Sequence, residues 1–152
     1  MDKMSLKGLM ALVLSVSLVI GVVGTIGCVG GEIAIPGQEA PTQVLENVTP
    51  QEAFILIQDN QNNPDFVILD VRTPEEVAEG YIENAINIDF YSETFRDELD
   101  RLDKDKTYLI YCRSGGRSGN TLNIMEGLNF REVYDVSGGM IEWEAEGLPT
   151  VK

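Results

Sequence analysis

From Thr42 onward the chain alternates between two patterns of hydrophobic and polar positions. Short runs with little polar interruption, VILDV (67–71) and TYLIY (107–111), lie between longer stretches whose apolar residues recur at helical spacing. A run that is apolar on both faces suits a strand inside a parallel sheet, and the helical spacing suits amphipathic helices. TQVLENVTP begins as a short strand and ends in a helix start, with Thr49 as N-cap, Pro50 in the first turn and Glu52 three residues after the cap. The helix Pro50–Asn60 then carries Ala53, Phe54 and Ile57 on one face. NNPDFVILDV is a turn and a strand, RTPEEVAEG a capped short helix ending at Gly80, and NAINID a third strand. YSETFRDELDRL is a helix with Phe95, Leu99 and Leu102 on one side, and KTYLIY is the fourth strand. RSGNTLNIMEGLNF is a helix with Leu122, Met125 and Leu128 facing in, and REVYDV is the last strand. SGGMIEWEAEGLP closes with a turn and a helix whose Trp143 anchors the core. Strands alternating with helices predict an α/β fold, with a central, mostly parallel five-stranded sheet and helices on both faces. Ligands of such folds bind beyond the C-terminal ends of the strands, which is where Cys112 falls.

The first 31 residues follow another pattern. Lys3 and Lys7 precede an uncharged apolar stretch from Gly8 to Gly31, and Glu32 opens a polar run. This predicts a signal peptide or signal anchor over residues 1–27, long enough to span a bilayer if uncleaved. TIGC (25–28) resembles a lipobox, in which a prokaryotic lipoprotein is cut before a cysteine that is then lipidated; Cys28 is the candidate. Gly27 fits that motif, whereas Thr25 stands where leucine is usual and Ile26 where a small residue is usual. The alternative is an uncleaved anchor with an incidental cysteine. Either arrangement places the protein at the cell membrane, with the domain facing outside the cytoplasm. Residues 28–41 read as a linker and 42–152 as one folded domain.

Charge narrows the partners. The chain has 11 Lys+Arg against 25 Asp+Glu, a net charge of −14, and such a surface repels phosphate backbones; no nucleic-acid partner is expected. There are two cysteines, too few for a disulfide framework. The chain has no histidine, which removes a Cys–His dyad, a Ser–His–Asp triad and the common zinc sites. No metal or cofactor is expected, and thiol chemistry at Cys112 needs another activator.

CRSGGRS (112–118) offers one. A tight loop joins the strand to a helix starting near Ser118. Gly115 and Gly116 let the backbone curl so that successive N–H groups form an anion-binding nest. The helix N-terminus adds partial positive charge, and Arg113 and Arg117 add full charges. These influences favour thiolate over thiol, and such surroundings lower a cysteine pKa from about 8.5 to the range ~3.5–7.5. Ser114 and Ser118 are candidate donors to substrate, and Ser118 is equally well an N-cap.

In this setting CRSGGRS resembles the active-site loop of the rhodanese family, in which a cysteine carries a persulfide sulfur. ILDVRTPEEVAEGYIENAINID resembles the family pattern LDVR-x-x-x-E-(Y/F)-x-x-G-H-I-P-G-A-x-N-(I/L). VYDVSGGMIEWEAEGLPT resembles its GG-x-x-x-W-x-x-x-G-x-P ending, and VTPQEAFILI its opening strand-to-helix turn. The resemblance runs from about Thr42 to Thr150 in the family's order. Tyr81 stands where histidine is usual, Glu83-Asn84 replaces Pro-Gly, and Val77 replaces an aromatic.

The resemblance implies a rhodanese-like fold and a sulfurtransferase. Cys112 would be the nucleophile toward a small sulfur-containing anion such as thiosulfate. Arg117, with Arg113, would hold the oxyanion, and the nest of residues 113–117, including Ser114, Gly115 and Gly116, would hold the persulfide. Cyanide or a thiol would be the acceptor. Asp70 and Arg72 would brace the loop, with Arg72 pairing with Glu75 or Glu76, or else form a local ion pair capping the short helix. Two other readings stand beside this one: a persulfide carrier or partner-binding module with little turnover, and a cysteine phosphatase. Phosphatase loops have the form C-x5-R, whereas Arg117 is five residues after Cys112, giving the shorter C-x4-R.

Overall fold

A computed structural model describes residues 42–152; the expected signal segment, the linker and Cys28 lie outside the described residues. Five strands, β1 (Val44–Val48), β2 (Phe66–Asp70), β3 (Ile86–Asn87), β4 (Thr107–Tyr111) and β5 (Glu132–Val136), form one sheet in the order β1-β5-β4-β2-β3. Every pairing in it is parallel, so the expected mostly parallel sheet is entirely so. An isolated antiparallel bridge between Tyr81 and Val151 lies outside the sheet. Between and after the strands run α1 (Pro50–Asp59), α2 (Pro74–Glu79), α3 (Phe95–Asp100), α4 (Gly116–Gly127) and α5 (Gly139–Ala145).

Local chemistry sets these boundaries. Thr49 caps α1, accepting from Glu52 N while Glu52 Oε2 accepts from Thr49 N, and Thr73 and Glu76 repeat the arrangement at α2. Asn84 occupies the left-handed region with φ 66°, at the position where the family pattern has glycine. The third strand is shorter than expected, two residues instead of the six of NAINID.

The sheet buries a core on each face. One face packs Leu69, Tyr108, Ile110, Cys112 and Val133 against Phe95 and Leu99 of α3 and Met125 of α4. The other packs Ile68, Leu109, Tyr111 and Val136 against Ala53 of α1 and Met140 and Trp143 of α5. Trp143 is buried as expected, its indole N–H donating to Pro149 O at 3.0 Å. Strand β4 is central and Tyr108–Tyr111 are all buried, which explains its lack of alternation. From β4 the chain crosses to β5 on one side, and from β2 to β3 on the other. Such a switch point opens a crevice between the C-terminal ends of β2 and β4. Arg72 follows the first end and Cys112 the second.

Candidate functional site

Cys112 is the first residue beyond β4, and α4 begins four residues later. The helix therefore starts at Gly116 and not near Ser118. Gly115 is its N-cap, with φ 91°, a conformation that glycine adopts without strain. This turn aims Gly115 N at Cys112 Sγ, 3.2 Å away. Ser118 is thus not the N-cap. It lies inside the first turn, fully buried, and its Oγ donates to Cys112 Sγ at 3.5 Å. Burial by itself pushes the Cys112 thiol up. The Ser118 side chain and the backbone N–H groups of Ser118, Ser114 and Gly115 outweigh it, and the net shift is downward. Activation thus comes from the loop and the helix start.

The loop is held from behind. Met140 N donates to Cys112 O at 2.9 Å and Ile141 N to Arg113 O at 3.0 Å. Both donors belong to the first turn of α5, whose free N–H groups would otherwise lack partners. Gly139 permits this approach: a Cβ there would lie 2.3 Å from Cys112 O.

Arg117 reaches the same mouth, but it is not free. Its Nη1 and Nη2 donate to the two carboxylate oxygens of Glu76 at 2.6 and 2.7 Å, and its guanidinium lies 5.5 Å from the centre of the Tyr91 ring. The Arg117 hydrogen bond holds the Glu76 carboxyl at about 2. That lies below its ordinary value, so the pair is complete above the usual carboxylate range and is lost only as pH falls through about 2. Arg113 is exposed and makes no ion pair among the described residues. An open cleft of about 600 Å³ lies over the loop, lined by Glu76, Tyr91, Arg113, Ser114, Gly116 and Arg117. A second cavity, of about 460 Å³ near Trp143 and Pro149, is lined by none of the loop residues.

Asp70 and Arg72 form a buried pair beside the loop, Nη2 to Oδ2 at 2.6 Å, and Arg72 Nη2 also donates to Gly80 O at 2.7 Å. The expected pairing of Arg72 with Glu75 or Glu76 is therefore corrected. Arg72 Nε donates to the two Asp70 carboxylate oxygens at 3.0 and 2.9 Å, which holds the side chain back on its own strand, while Glu76 is held by Arg117. Burial lowers the Arg72 pKa, but its hydrogen bond and charge attraction to Asp70 exceed that effect and raise it. Asn87 of β3 closes the corner, donating to the carbonyls of Asp70 and Arg72 at 2.9 Å each.

The structure brings Cys112, Ser114, Gly115, Gly116, Arg117 and Ser118 around one loop, with Arg113 at its rim. Glu76 and Tyr91 were missed as site residues, because their contacts with Arg117 span 41 and 26 positions. The only signal for Glu76 lay in the helix cap that orients it. Asp135, buried at the end of β5, was also missed. A carboxylate inside a strand of a two-sided parallel sheet is itself the signal that should have marked it.

The site is thus a cysteine between a central strand and a helix start of an α/β fold, with backbone N–H groups that favour its charged form. The rhodanese-like domain model matches residues 56–146, and the chain belongs to that family. It is 43% identical over 82 residues to the "Putative sulfurtransferase YtwF" of Bacillus subtilis, covering 54% of this chain and 77% of that protein. It is 34% identical over 87 residues to a sulfurtransferase of Allochromatium vinosum, covering 57% and 79%. The fold is similar to the crystal structure of a rhodanese-related protein from Thermoplasma volcanium, with TM-score 0.59 and 30% identity, covering 70% of this chain and 97% of that one. A tRNA uridine(34) hydroxylase of Pectobacterium atrosepticum is 37% identical over 127 residues, but the match covers only 35% of its length.

Proposed function

We propose that the protein transfers sulfane sulfur through a persulfide on Cys112. The observation that carries this reading is the sulfur's setting: Gly115 N and Ser118 Oγ both donate to Sγ, and together with the backbone N–H groups of Ser114 and Ser118 they overcome the burial that disfavours a thiolate. With thiosulfate, the Cys112 thiolate attacks the outer sulfur. The S–S bond of the donor breaks and sulfite leaves with the electron pair. The new outer sulfur sits in the loop, among the N–H groups of Arg113–Arg117. Cyanide or a thiolate then attacks that sulfur and the Cys112 thiolate is restored. This is covalent catalysis with electrostatic stabilisation, and each step balances without a redox partner.

Arg117 binds the donor's oxyanion with what Glu76 leaves. A guanidinium has five N–H donors, and the bidentate pair uses two of them. Its charge is already matched, however, so a dianion is attracted less strongly than by a free arginine. Glu76→Gln is expected to lower KM for thiosulfate about three- to tenfold, equivalent to about 1 kcal/mol for a partly exposed charge pair. Steady-state kinetics at varied thiosulfate check this, and an unchanged or higher KM counts against the assignment of Arg117. The same Glu76–Arg117 pair favours a second reading, a persulfide carrier serving one partner protein, because a neutralised arginine suits a thiol ligand as well as an inorganic dianion. Turnover with thiosulfate and cyanide separates the two readings: a carrier loads sulfur once and turns over slowly.

Loading is tested by mass spectrometry of the protein after thiosulfate treatment. A gain of about 32 Da on the peptide containing Cys112 is expected, and its absence overturns the persulfide reading. A phosphate adduct after treatment with a phosphate ester would instead indicate the phosphatase reading. The proposal also places the domain outside the cytoplasm, tethered to the membrane through residues 1–27 or a lipidated Cys28. Among the described residues no helix is long and apolar enough to cross a membrane, so this rests on the N-terminal sequence alone. A mature chain beginning at lipidated Cys28 supports the lipoprotein form; an intact Met1 overturns it.

A further inference from the structure

Asp135 is a buried carboxylate that the reaction outlined above does not use. It lies near the end of β5, two residues after Val133, so strand alternation puts both on the face that also holds Ile110, Cys112 and Met125. Asp135 is 3% exposed. Among the described residues its Oδ1 has no hydrogen-bond partner and the residue forms no salt bridge. Carboxylates are rarely left this way in a protein interior.

Helix α4 lies over it. A Cβ at Gly119 would sit 3.7 Å from Asp135 Oδ2, so the carboxylate lies against the first turn of the helix, beside Ser118. In register beside Asp135 are Asn47 on β1 and Ile110 on β4. Arg117 of α4 is turned to Glu76, Glu126 lies at the far end of that helix, and Glu46 of β1 pairs in register with Tyr134. The titratable groups left on this face among the described residues are Tyr108, whose hydroxyl donates to Asp103 O at 2.8 Å, and the Cys112 thiol. Ser118 Oγ has one hydrogen and two acceptors in reach, Cys112 Sγ at 3.5 Å and Gly115 O at 3.3 Å, and the carboxylate with the unpartnered Oδ1 lies beside the same helical turn.

We propose that Asp135 is a positioning residue that acts on Cys112 through Ser118. While ionised, Asp135 competes with the sulfur for the Ser118 hydroxyl hydrogen. Once protonated, it donates its own hydrogen to Ser118 Oγ, and the Ser118 hydrogen goes to the sulfur. The thiolate or persulfide is then held by one more hydrogen bond and faces one less negative charge. Burial pushes the Asp135 carboxyl up to about 6, against a smaller downward pull from Ser118. Both states are therefore populated near neutral pH. The coupling is reciprocal, so a charged sulfur makes Asp135 harder to ionise, and the two groups titrate as a pair. The inference rests on the reading of Cys112 as the reactive sulfur.

The test is the pH profile of Cys112 alkylation by iodoacetamide in the full-length protein, read by mass spectrometry on the Cys112 peptide. In the wild type the rate is expected to rise over a wider pH range than a single ionisation. In Asp135→Asn, whose amide donates to Ser118 at every pH, the profile should narrow to one ionisation with a midpoint about one pH unit lower. In a Ser118→Ala background the same Asp135→Asn exchange should move the midpoint by less than half as much. Equal midpoints in wild type and Asp135→Asn overturn the proposal, as does an undiminished shift without Ser118. A purely structural role for Asp135 would change the melting temperature and leave the midpoint in place. If Asp135→Asn does not fold, the wild-type profile decides: a single-ionisation curve overturns the proposal. Alkylation needs no sulfur donor. A negative result here therefore leaves persulfide loading standing, and failure of loading leaves this result readable.

Discussion

Cys112→Ser is expected to remove sulfur transfer altogether, a loss on the order of 10⁴-fold or more in turnover with thiosulfate and cyanide, and to leave the fold intact. The serine oxygen still accepts from Gly115 N and from Ser118, so the loop keeps its shape. Those donors favour a charged sulfur because a thiol ionises readily. They are far too few to ionise a serine hydroxyl, whose alkoxide is much the less stable anion. The chain has no histidine to take its proton instead. Thermal unfolding of the variant should match the wild type closely, and no mass gain should appear after thiosulfate. A variant that retains thiosulfate-dependent thiocyanate formation would place the chemistry elsewhere.

The second large effect is expected from Gly139→Ala, a change outside the loop. The added methyl would lie 2.3 Å from Cys112 O, 2.9 Å from Arg113 C and 3.0 Å from Arg113 O, all backbone atoms that cannot swing aside. Gly139 has φ 57°, and an alanine there costs about 1–2 kcal/mol before any clash. Pushing the loop away also breaks the bonds from Met140 N and Ile141 N, at about 1 kcal/mol each. A stability loss of about 3–4 kcal/mol follows, with a fall in turnover of about 10²-fold, since displacements near 1 Å cost that much at a reacting centre. Two neighbours calibrate the prediction. At Gly138 an added Cβ meets the flexible Glu142 side chain, and at Gly116 it meets nothing within 4 Å. Gly138→Ala should cost stability through its φ of 72° and leave turnover largely intact, and Gly116→Ala should leave both nearly unchanged. Chemical denaturation and turnover measured on all three variants check this order. Equal losses at Gly116 and Gly139 would show that the clamp does not set the loop.

Local chemistry made most of the frame readable in advance. Thr49 with Glu52 marked a helix start, unbroken apolar runs marked β2 and β4, and Trp143 marked the packing of α5. Cys112 at a strand end followed by two glycines marked the loop. Interactions that depend on how distant segments meet were not readable. Glu76 was legible as part of a cap, and nothing in TPEE said that its carboxylate would take Arg117 from α4. The sequence offers Glu75 and Glu76 as partners for Arg72. Burial instead turned it back onto Asp70 and the Gly80 carbonyl. Read as loop, the two glycines put the start of α4 near Ser118, but the second of them is already helical.

The grip of α5 on the carbonyls of Cys112 and Arg113 separates two properties that enzymes often keep in the same side chains. With these oxygens held away from the sulfur, the donors that stabilise its charge are peptide N–H groups and the buried Ser118 hydroxyl, none of them a side chain of the exposed rim. Arg113, Ser114 and Gly116, exposed around the opening, are free to vary in size and charge. The rim can therefore be re-tailored for one sulfur compound or another while the reactivity of the sulfur beneath it stays constant.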